Sequence, residues 1–320
     1  MKIGIIGAGW WGKNLVRVSY ELGVLKTVCD IDERTLNDIK VKYNEVKTTK
    51  NFDEIFMDKE INGVIISSSA ETHYSLVKKA ILSGKNVFVE KPLSLKVSDG
   101  KEIVELAEKN KIILMVGHIL HYHPAVIRMK EMIKYGEIGQ IQYIYSNRLN
   151  IGRIRNEENI LWSFAPHDIS LLSSITGQLP DKVFSFGGTY LPHNVEDVTL
   201  TFFSFPSGIK GHIFVSWLNP FKEQKFVVVG NKKMIVFDDI EKERKLVVYS
   251  HKINWKENEI PTIEKCEGEV IEIEKKEPLK EEIKHFLNCI EKGEKPLTDG
   301  REGLGVLAVL EMAEKSLRSN

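Results

Sequence analysis

The sequence predicts an α/β protein in two parts: a parallel sheet wound with helices, then an α/β domain built on a largely antiparallel, open sheet. Three observations carry this. Over residues 1–118 short apolar runs alternate with amphipathic stretches, the pattern of parallel strands and crossover helices. From about residue 140 the runs become β-rich and are joined by short Gly, Asn and Pro turns, as in antiparallel sheets. At 320 residues the chain can fill two cores. The expected domains are 1–118 and 119–320.

In the first part "KIGIIG", "LKTVCD", "GVIISS", "NVFVE" and "IILMVG" read as strands. Helices lie between them, as in "THYSLVKKAILSG", where Leu76, Val77, Ala80 and Ile81 recur at helical spacing and Gly84 stops the helix. In the second part the strands are "IQYIYSNRLN", "KVFSFGGTYL", "DVTLTFFSF", "IKGHIFVSWL", "KFVVVGN" and "KMIVFDD", interrupted by a helix at "PHDISLLSSITG". Residues 241–277 are dense in charge and read as solvated strands and loops. Helices return at "PLKEEIKHFLNCIEKG" and "GLGVLAVLEMAEKSL".

Composition narrows the function. Lys+Arg and Asp+Glu both count 45, so no global field draws nucleic acid or an acidic membrane. Neither partner is expected. The three cysteines, Cys29, Cys266 and Cys289, make no zinc spacing and suit a reducing compartment. The N-terminal "MKIGIIGAGWWG" enters a strand and turn without the regions of a signal peptide, and no apolar run is long enough for a bilayer. A cytoplasmic protein is expected.

"GIIGAGWWGKNL" sets Gly7, Gly9 and Gly12 in a G-x-G-x-x-G pattern after a strand and at the start of a helix. Gly7 allows the tight turn, Gly9 lets backbone approach a pyrophosphate, and Gly12 lets helix and strand pack closely. The phosphates would rest on N–H groups at the positive helix end. Asp30 ends the second strand at the spacing of an acid that accepts from ribose hydroxyls and repels a 2′-phosphate, so the expected cofactor is NAD. Trp10 and Trp11 stand at the mouth of the turn, where they pack on the second domain or line the cofactor cleft.

"NVFVEKPLSL" puts Lys91 and Pro92 where a buried strand should stop. The plain reading is an ion pair and a turn; the chemical one is an ammonium held at the rim of a sheet. The resemblance of this motif to a family of sugar oxidoreductases implies oxidation of a secondary alcohol, which needs hydride transfer and removal of the hydroxyl proton. A free lysine titrates near ~10.4, so a base at neutrality asks for a drop of about three pH units, or ~4 kcal/mol. Partial burial and the positive charge of an oxidised nicotinamide both push that way. Strand alternation turns Glu90 to the other face.

With "VIISSSAE" ahead of "THYSLVKKAILSGKNVFVEKPLS", the chain resembles the Gfo/Idh/MocA oxidoreductases over nearly its whole length. The resemblance implies a Rossmann domain and a C-terminal open sheet, with Lys91 beside the nicotinamide and the reacting sugar carbon. The Lys–Pro peptide is often cis in that family. Ser67, Ser69, His73, Glu90 and Lys91 then join the glycines, the two tryptophans and Asp30 as the cofactor-binding set. The family usually shows D-x-x-x-H in the segment that reads "NILWSFAPHDISLL" here. His167 is kept, but Ser163 takes the aspartate's place, and the adjacent Asp168 points elsewhere. The proton work then falls on Lys91 and His167, the expected catalytic pair.

"YSNRLNIGRIRNEENILWS" leads into His167 and gathers Arg148, Arg153 and Arg155 with Asn150, Asn159 and Trp162. Arginines suit a diphosphate or carboxylate; the alternative is a solvated loop pairing with Glu157 and Glu158. This segment, with "HIFVSWLNPFKEQKFVVVGNKKMIVFDD", is similar to the nucleotide-sugar branch of the family, the UDP-N-acetylglucosamine 3-dehydrogenases. That resemblance implies oxidation of the sugar 3-hydroxyl, with Lys91, Arg148, Arg153, Arg155, Asn159, Trp162 and His167 around the substrate. Trp217, Asn219, Lys222 and Lys225 are further contacts or a guarded strand edge. A UDP-N-acetylglucosaminuronate 3-dehydrogenase, a keto-sugar reductase and a non-catalytic NAD-binding regulator are the alternatives.

His118, His121 and His123 in "GHILHYHPA" tempt a zinc reading, but the spacing and the lack of a nearby cysteine argue against it, and no metal is expected. His118 or His123 near the cofactor or substrate is the alternative. The open sheet should be covered by another copy, giving a homodimer or homotetramer.

Overall fold

The computed structural model describes residues 1–152, 154, 158–192, 194–255 and 260–319. The chain forms two compact units, Met1–Tyr122 with Lys276–Ala308, and His123–Lys275 with Val309–Asn320.

The first unit is a six-stranded sheet of β1 (Lys2–Ile6), β2 (Leu25–Cys29), β3 (Lys47–Thr49), β4 (Ile61–Ile66), β5 (Asn86–Glu90) and β6 (Leu114–Gly117). Its order is β3-β2-β1-β4-β5-β6, and every pairing is parallel. Helices α1 (Gly12–Glu21), α2 (Glu33–Lys42), α3 (Asp53–Met57), α4 (Ala70–Leu82) and α5 (Val97–Lys109) make the crossovers. The strands read as continuous apolar runs because both faces are covered: Ile3, Ile5, Val64, Ile65, Val87, Phe88 and Val89 are fully buried. Three-residue β3 is too short to give a periodic signal, and the sequence reading passed over it. Strand order reverses between β1 and β4, and in such sheets ligands bind beyond the carboxyl ends of the strands at this point.

The second unit opens with α6 (Pro124–Lys134) and continues through β7 (Ile141–Leu149), α7 (Ile160–Thr176), β8 (Lys182–Gly188), β9 (Val198–Ser204) and β10 (Lys210–Ser216). It goes on with β11 (Glu223–Gly230), β12 (Met234–Asp238), β13 (Leu246–Tyr249), β14 (Lys252–Asn254), β15 (Thr262–Glu264) and β16 (Glu269–Val270). Eight of these strands form one sheet in the order β16-β13-β12-β11-β7-β10-β9-β8. Among the described residues only the central β7–β10 pair of this sheet is parallel, so the expected largely antiparallel sheet is present. Helix α7 packs on β7, β9 and β10. Phe184 and Phe202 lie exposed on paired positions of β8 and β9, and Phe186 is exposed two residues further along β8. The charge-dense stretch holds the short, exposed pair β14–β15.

After β16 come α8 (Pro278–Lys292) and α9 (Gly300–Ser319). This departs from the expected boundary, which placed all of 119–320 in one domain. Residues 276–308 belong to the first unit. The reason is the apolar stripe of α8: Leu279, Ile283 and Phe286 are buried in one cluster with Ile3, Ile5, Val28, Phe88 and Met115. Among the described residues no helix is long and apolar enough to cross a membrane.

Candidate active site

The glycine turn joins β1 to α1 as expected. Gly7 has φ +89°, a conformation that a side chain disfavours, and a Cβ there would come within 2.6 Å of the Ser68 nitrogen. At Gly12 a Cβ would sit 2.4 Å from the Gly7 carbonyl oxygen, so helix and turn touch. At Gly9 a Cβ would meet nothing within 4 Å. That position is open on the side where a ligand must approach backbone.

Two side chains brace this turn. Ser67 Oγ donates to the Gly7 carbonyl at 2.6 Å. Asp30 accepts from the Ala8 N–H at 2.6 Å and from the Asp32 N–H at 2.9 Å, one on each oxygen. A carboxylate has about four acceptor sites, so Asp30 keeps capacity for ribose hydroxyls. Ser69 is the N-cap of α4. Trp10 is 80% exposed, whereas the Trp11 indole donates to Glu90 Oε1 at 2.6 Å. Burial pushes the Glu90 carboxyl above its usual range, against the Trp11 hydrogen bond and the charge of Lys91, which pull it down.

Lys91 is half-buried directly after β5, and its peptide to the buried Pro92 is cis. Beneath it His73, 1% exposed on α4, directs Nδ1 at the Pro92 carbonyl (2.7 Å) and Nε2 at the Ser68 carbonyl (3.2 Å). Burial lowers the His73 pKa, against the two carbonyl contacts, which raise it. Both nitrogens are thus occupied by backbone.

In the second unit α7 carries His167, half-buried one residue after Pro166, which stands inside the helix. Asn159 caps α7 by accepting from the Trp162 N–H at 3.2 Å. Its amide donates to Glu196 (3.0 Å) and Glu314 (3.1 Å), and the Trp162 indole donates to the same Glu314 oxygen at 2.9 Å. Arg148, on β7, makes a two-pronged pair with Asp168: Nε to Oδ2 at 2.8 Å and Nη2 to Oδ1 at 3.1 Å. Burial opposes the Arg148 charge, but Asp168 outweighs it and keeps the guanidinium more basic than usual. Ser163, in the position of the family aspartate, is buried one helical turn before His167. Arg153 and Arg155 lie outside the described residues.

His118 and His123 have separate partners. His118 Nδ1 faces Glu302 at 2.7 Å, and His123 caps α6 by accepting from the Ala125 N–H at 3.1 Å. His121 is buried. No group of three or more metal-binding side chains is assembled among the described residues. Trp217 is fully buried, Asn219 donates to the Phe221 carbonyl, and Lys225 faces Asp238. Sequence reasoning missed Asp168, Glu302 and Glu314 as partners. The last two lie over a hundred positions from the residues they hold, beyond any local pattern.

Residues 1–118 match the oxidoreductase family with an NAD-binding Rossmann fold, and residues 126–236 match the GFO/IDH/MocA C-terminal domain. The chain belongs to the GFO/IDH/MocA oxidoreductases. Among relatives of this family, myo-inositol 2-dehydrogenase of Thermotoga maritima is 25% identical over 99% of this chain and 96% of its own. UDP-N-acetylglucosamine 3-dehydrogenase of Acidithiobacillus ferrooxidans is 21% identical over 96% and 94%. Its solved structure superposes with a TM-score of 0.87, at 20% identity, covering 100% of this chain and 98% of that one. Levoglucosan dehydrogenase in complex with NADH and levoglucosan gives 0.86, at 18% identity, over 100% and 97%. Because the family model over residues 1–118 is that of an NAD-binding Rossmann fold, NAD is the cofactor of this GFO/IDH/MocA member, and the open Gly9, the helix start and the unspent capacity of Asp30 fit it.

Proposed function

We propose that the protein oxidises a secondary hydroxyl of a sugar to a ketone, with Lys91 and His167 as acid/base groups. The observation that carries this reading is Lys91 itself, half-buried at the carboxyl end of β5 in a sheet of dinucleotide-binding topology. Bound nicotinamide supplies the hydride acceptor. Lys91 takes the hydroxyl proton as the carbon–oxygen double bond forms, and His167 is the second acid/base group. Asp30, Gly7, Gly9, Gly12 and the two tryptophans belong to the cofactor side.

For the substrate we propose UDP-N-acetylglucosamine, oxidised at its 3-hydroxyl. Full-length likeness in sequence to the Acidithiobacillus enzyme supports this, as does the arginine-bearing segment ahead of α7. Within that segment the diphosphate falls to Arg153 and Arg155, because Arg148 is committed to Asp168. A cyclitol is the second reading, favoured by the higher identity to myo-inositol 2-dehydrogenase. We further propose a homodimer or homotetramer that covers Phe184, Phe186 and Phe202, working in the cytoplasm, where Cys29, Cys266 and Cys289 stay reduced.

The test mixes protein with NAD and UDP-N-acetylglucosamine, its glucuronate analogue or myo-inositol, with hydroxylamine to trap the ketone, and follows NADH absorbance. NADH from the first sugar alone, abolished in Lys91→Ala, supports the reading. Turnover of myo-inositol alone replaces the substrate, and unchanged turnover in Lys91→Ala removes the lysine from the chemistry. Light scattering that gives a monomer at micromolar concentration refutes the assembly.

A further inference from the structure

We propose that His73 is a positioning residue for Lys91, holding the backbone on the far side of the lysine by its bond to the Pro92 carbonyl. The inference rests on the reading of Lys91 as an acid/base group. On its near side Lys91 follows Glu90, which is locked opposite Gly117 in the β5–β6 ladder. On its far side the chain has left the sheet, and the Nδ1 bond of His73 at 2.7 Å reaches Pro92 from α4. Lys91 is therefore slung between two fixed backbone points, one from a strand and one from a helix.

The arrangement of the ring says which bond matters. A neutral imidazole has one N–H, and here both nitrogens face carbonyl oxygens. The contact to Pro92, at 2.7 Å against 3.2 Å for Ser68, is the shorter and stronger of the two. A ring needed only to fill space would not require a donor aimed at the residue after the lysine. Misplacing a reacting group by about 1 Å can cost a hundredfold in rate, so a backbone tether beside the lysine has a kinetic role as well as a packing one.

Two near-isosteric variants separate the roles. An Asn amide can donate near the Nδ1 position, whereas a Gln amide reaches toward the Nε2 position and Ser68. We expect His73→Gln to lose about ten- to a hundredfold in kcat and His73→Asn to lose at least about tenfold less than Gln does, with NAD affinity of the two variants within about twofold of each other. A second readout needs no sugar: labelling of Lys91 by acetic anhydride across pH, read by peptide mass spectrometry. Its midpoint should move by about half a pH unit or more in His73→Gln and stay in place in His73→Asn. Equal effects of the two variants, or greater damage from Asn, overturn the inference, as does an unmoved midpoint in a folded Gln variant. Should the Gln variant fail to fold, a shifted midpoint in folded His73→Asn still overturns it and a retained one supports it. If labelling follows the expectation while no sugar is oxidised by the wild type, the substrate assignment fails and the positioning role stands.

Discussion

Replacing Gly9 and Gly12 by alanine, one at a time, should separate binding from folding within one short turn. At Gly12 the added methyl lands 2.4 Å from the Gly7 carbonyl oxygen, inside the 3.0 Å that real Cβ atoms keep. The obstacle is backbone, so α1 must move away from β1. Overpacking of this kind costs about 1–3 kcal/mol. At Gly9 no protein atom lies within 4 Å of the added methyl, so apo stability should change by less than about 0.5 kcal/mol. The methyl instead fills the space through which a pyrophosphate reaches the backbone, and NAD affinity should fall at least about tenfold, or ~1.4 kcal/mol. Thermal unfolding without NAD and calorimetric titration with it provide the two readings. For wild type, NAD at about 100 times its Kd should add ~2.7 kcal/mol of stability, and Gly9→Ala should gain visibly less. The reasoning is refuted if Gly9→Ala unfolds as early as Gly12→Ala, or binds NAD as tightly as wild type.

Three further outcomes are expected. Asp168→Asn strands the Arg148 guanidinium in a buried setting and should cost about 3–5 kcal/mol in urea unfolding, much of it recovered by replacing both partners with apolar residues. Glu282 is fully buried on α8, and neither of its oxygens has a hydrogen-bond partner among the described residues. Burial, then the neighbouring Glu90, holds its pKa well above the usual range; the folded state keeps a proton that the unfolded chain releases, so stability falls as pH rises above ~4.3. Glu282→Met should therefore stabilise by about 1–3 kcal/mol at neutral pH, with a gain that grows from about pH 5 to pH 8. Burial lowers His123 to a pKa of about 4, below its unfolded ~6.5, so its stabilising contribution is complete above pH ~6.5 and is lost as pH falls toward 4. His123→Asn, which keeps a cap for the Ala125 N–H, should flatten that limb of the stability profile.

Local patterns carried the architecture. Continuous apolar runs marked the parallel strands because each is buried on both faces, and the glycine spacing marked the turn, where Gly7 and Gly12 meet backbone and Gly9 open space. Lys91 was legible because a charge at the end of such a run is chemically odd. What the sequence hid was pairing at a distance. Arg148 looks available as a cation, yet Asp168, twenty positions on, claims it. Asn159 and Trp162 look like ligand contacts, yet Glu314 binds both. The family resemblance makes His73 a cofactor residue, yet its ring nitrogens face two carbonyls. Hydrophobic period shows which face of an element is buried, but it has no way to say which polar group waits there.

The return of α8 to the first unit also sets a timetable for synthesis. Phe286 packs at 5.9 Å from Phe88, yet some two hundred codons separate them. At roughly 5–20 residues per second, a ribosome leaves the nascent nucleotide-binding sheet without that helix for on the order of ten seconds or more. During that interval the apolar surface awaiting Leu279, Ile283 and Phe286 is bare, and the whole intervening unit must emerge before it is covered. Each round of translation thus passes through an unfinished dinucleotide fold. A stop codon anywhere ahead of α8 makes that exposure permanent.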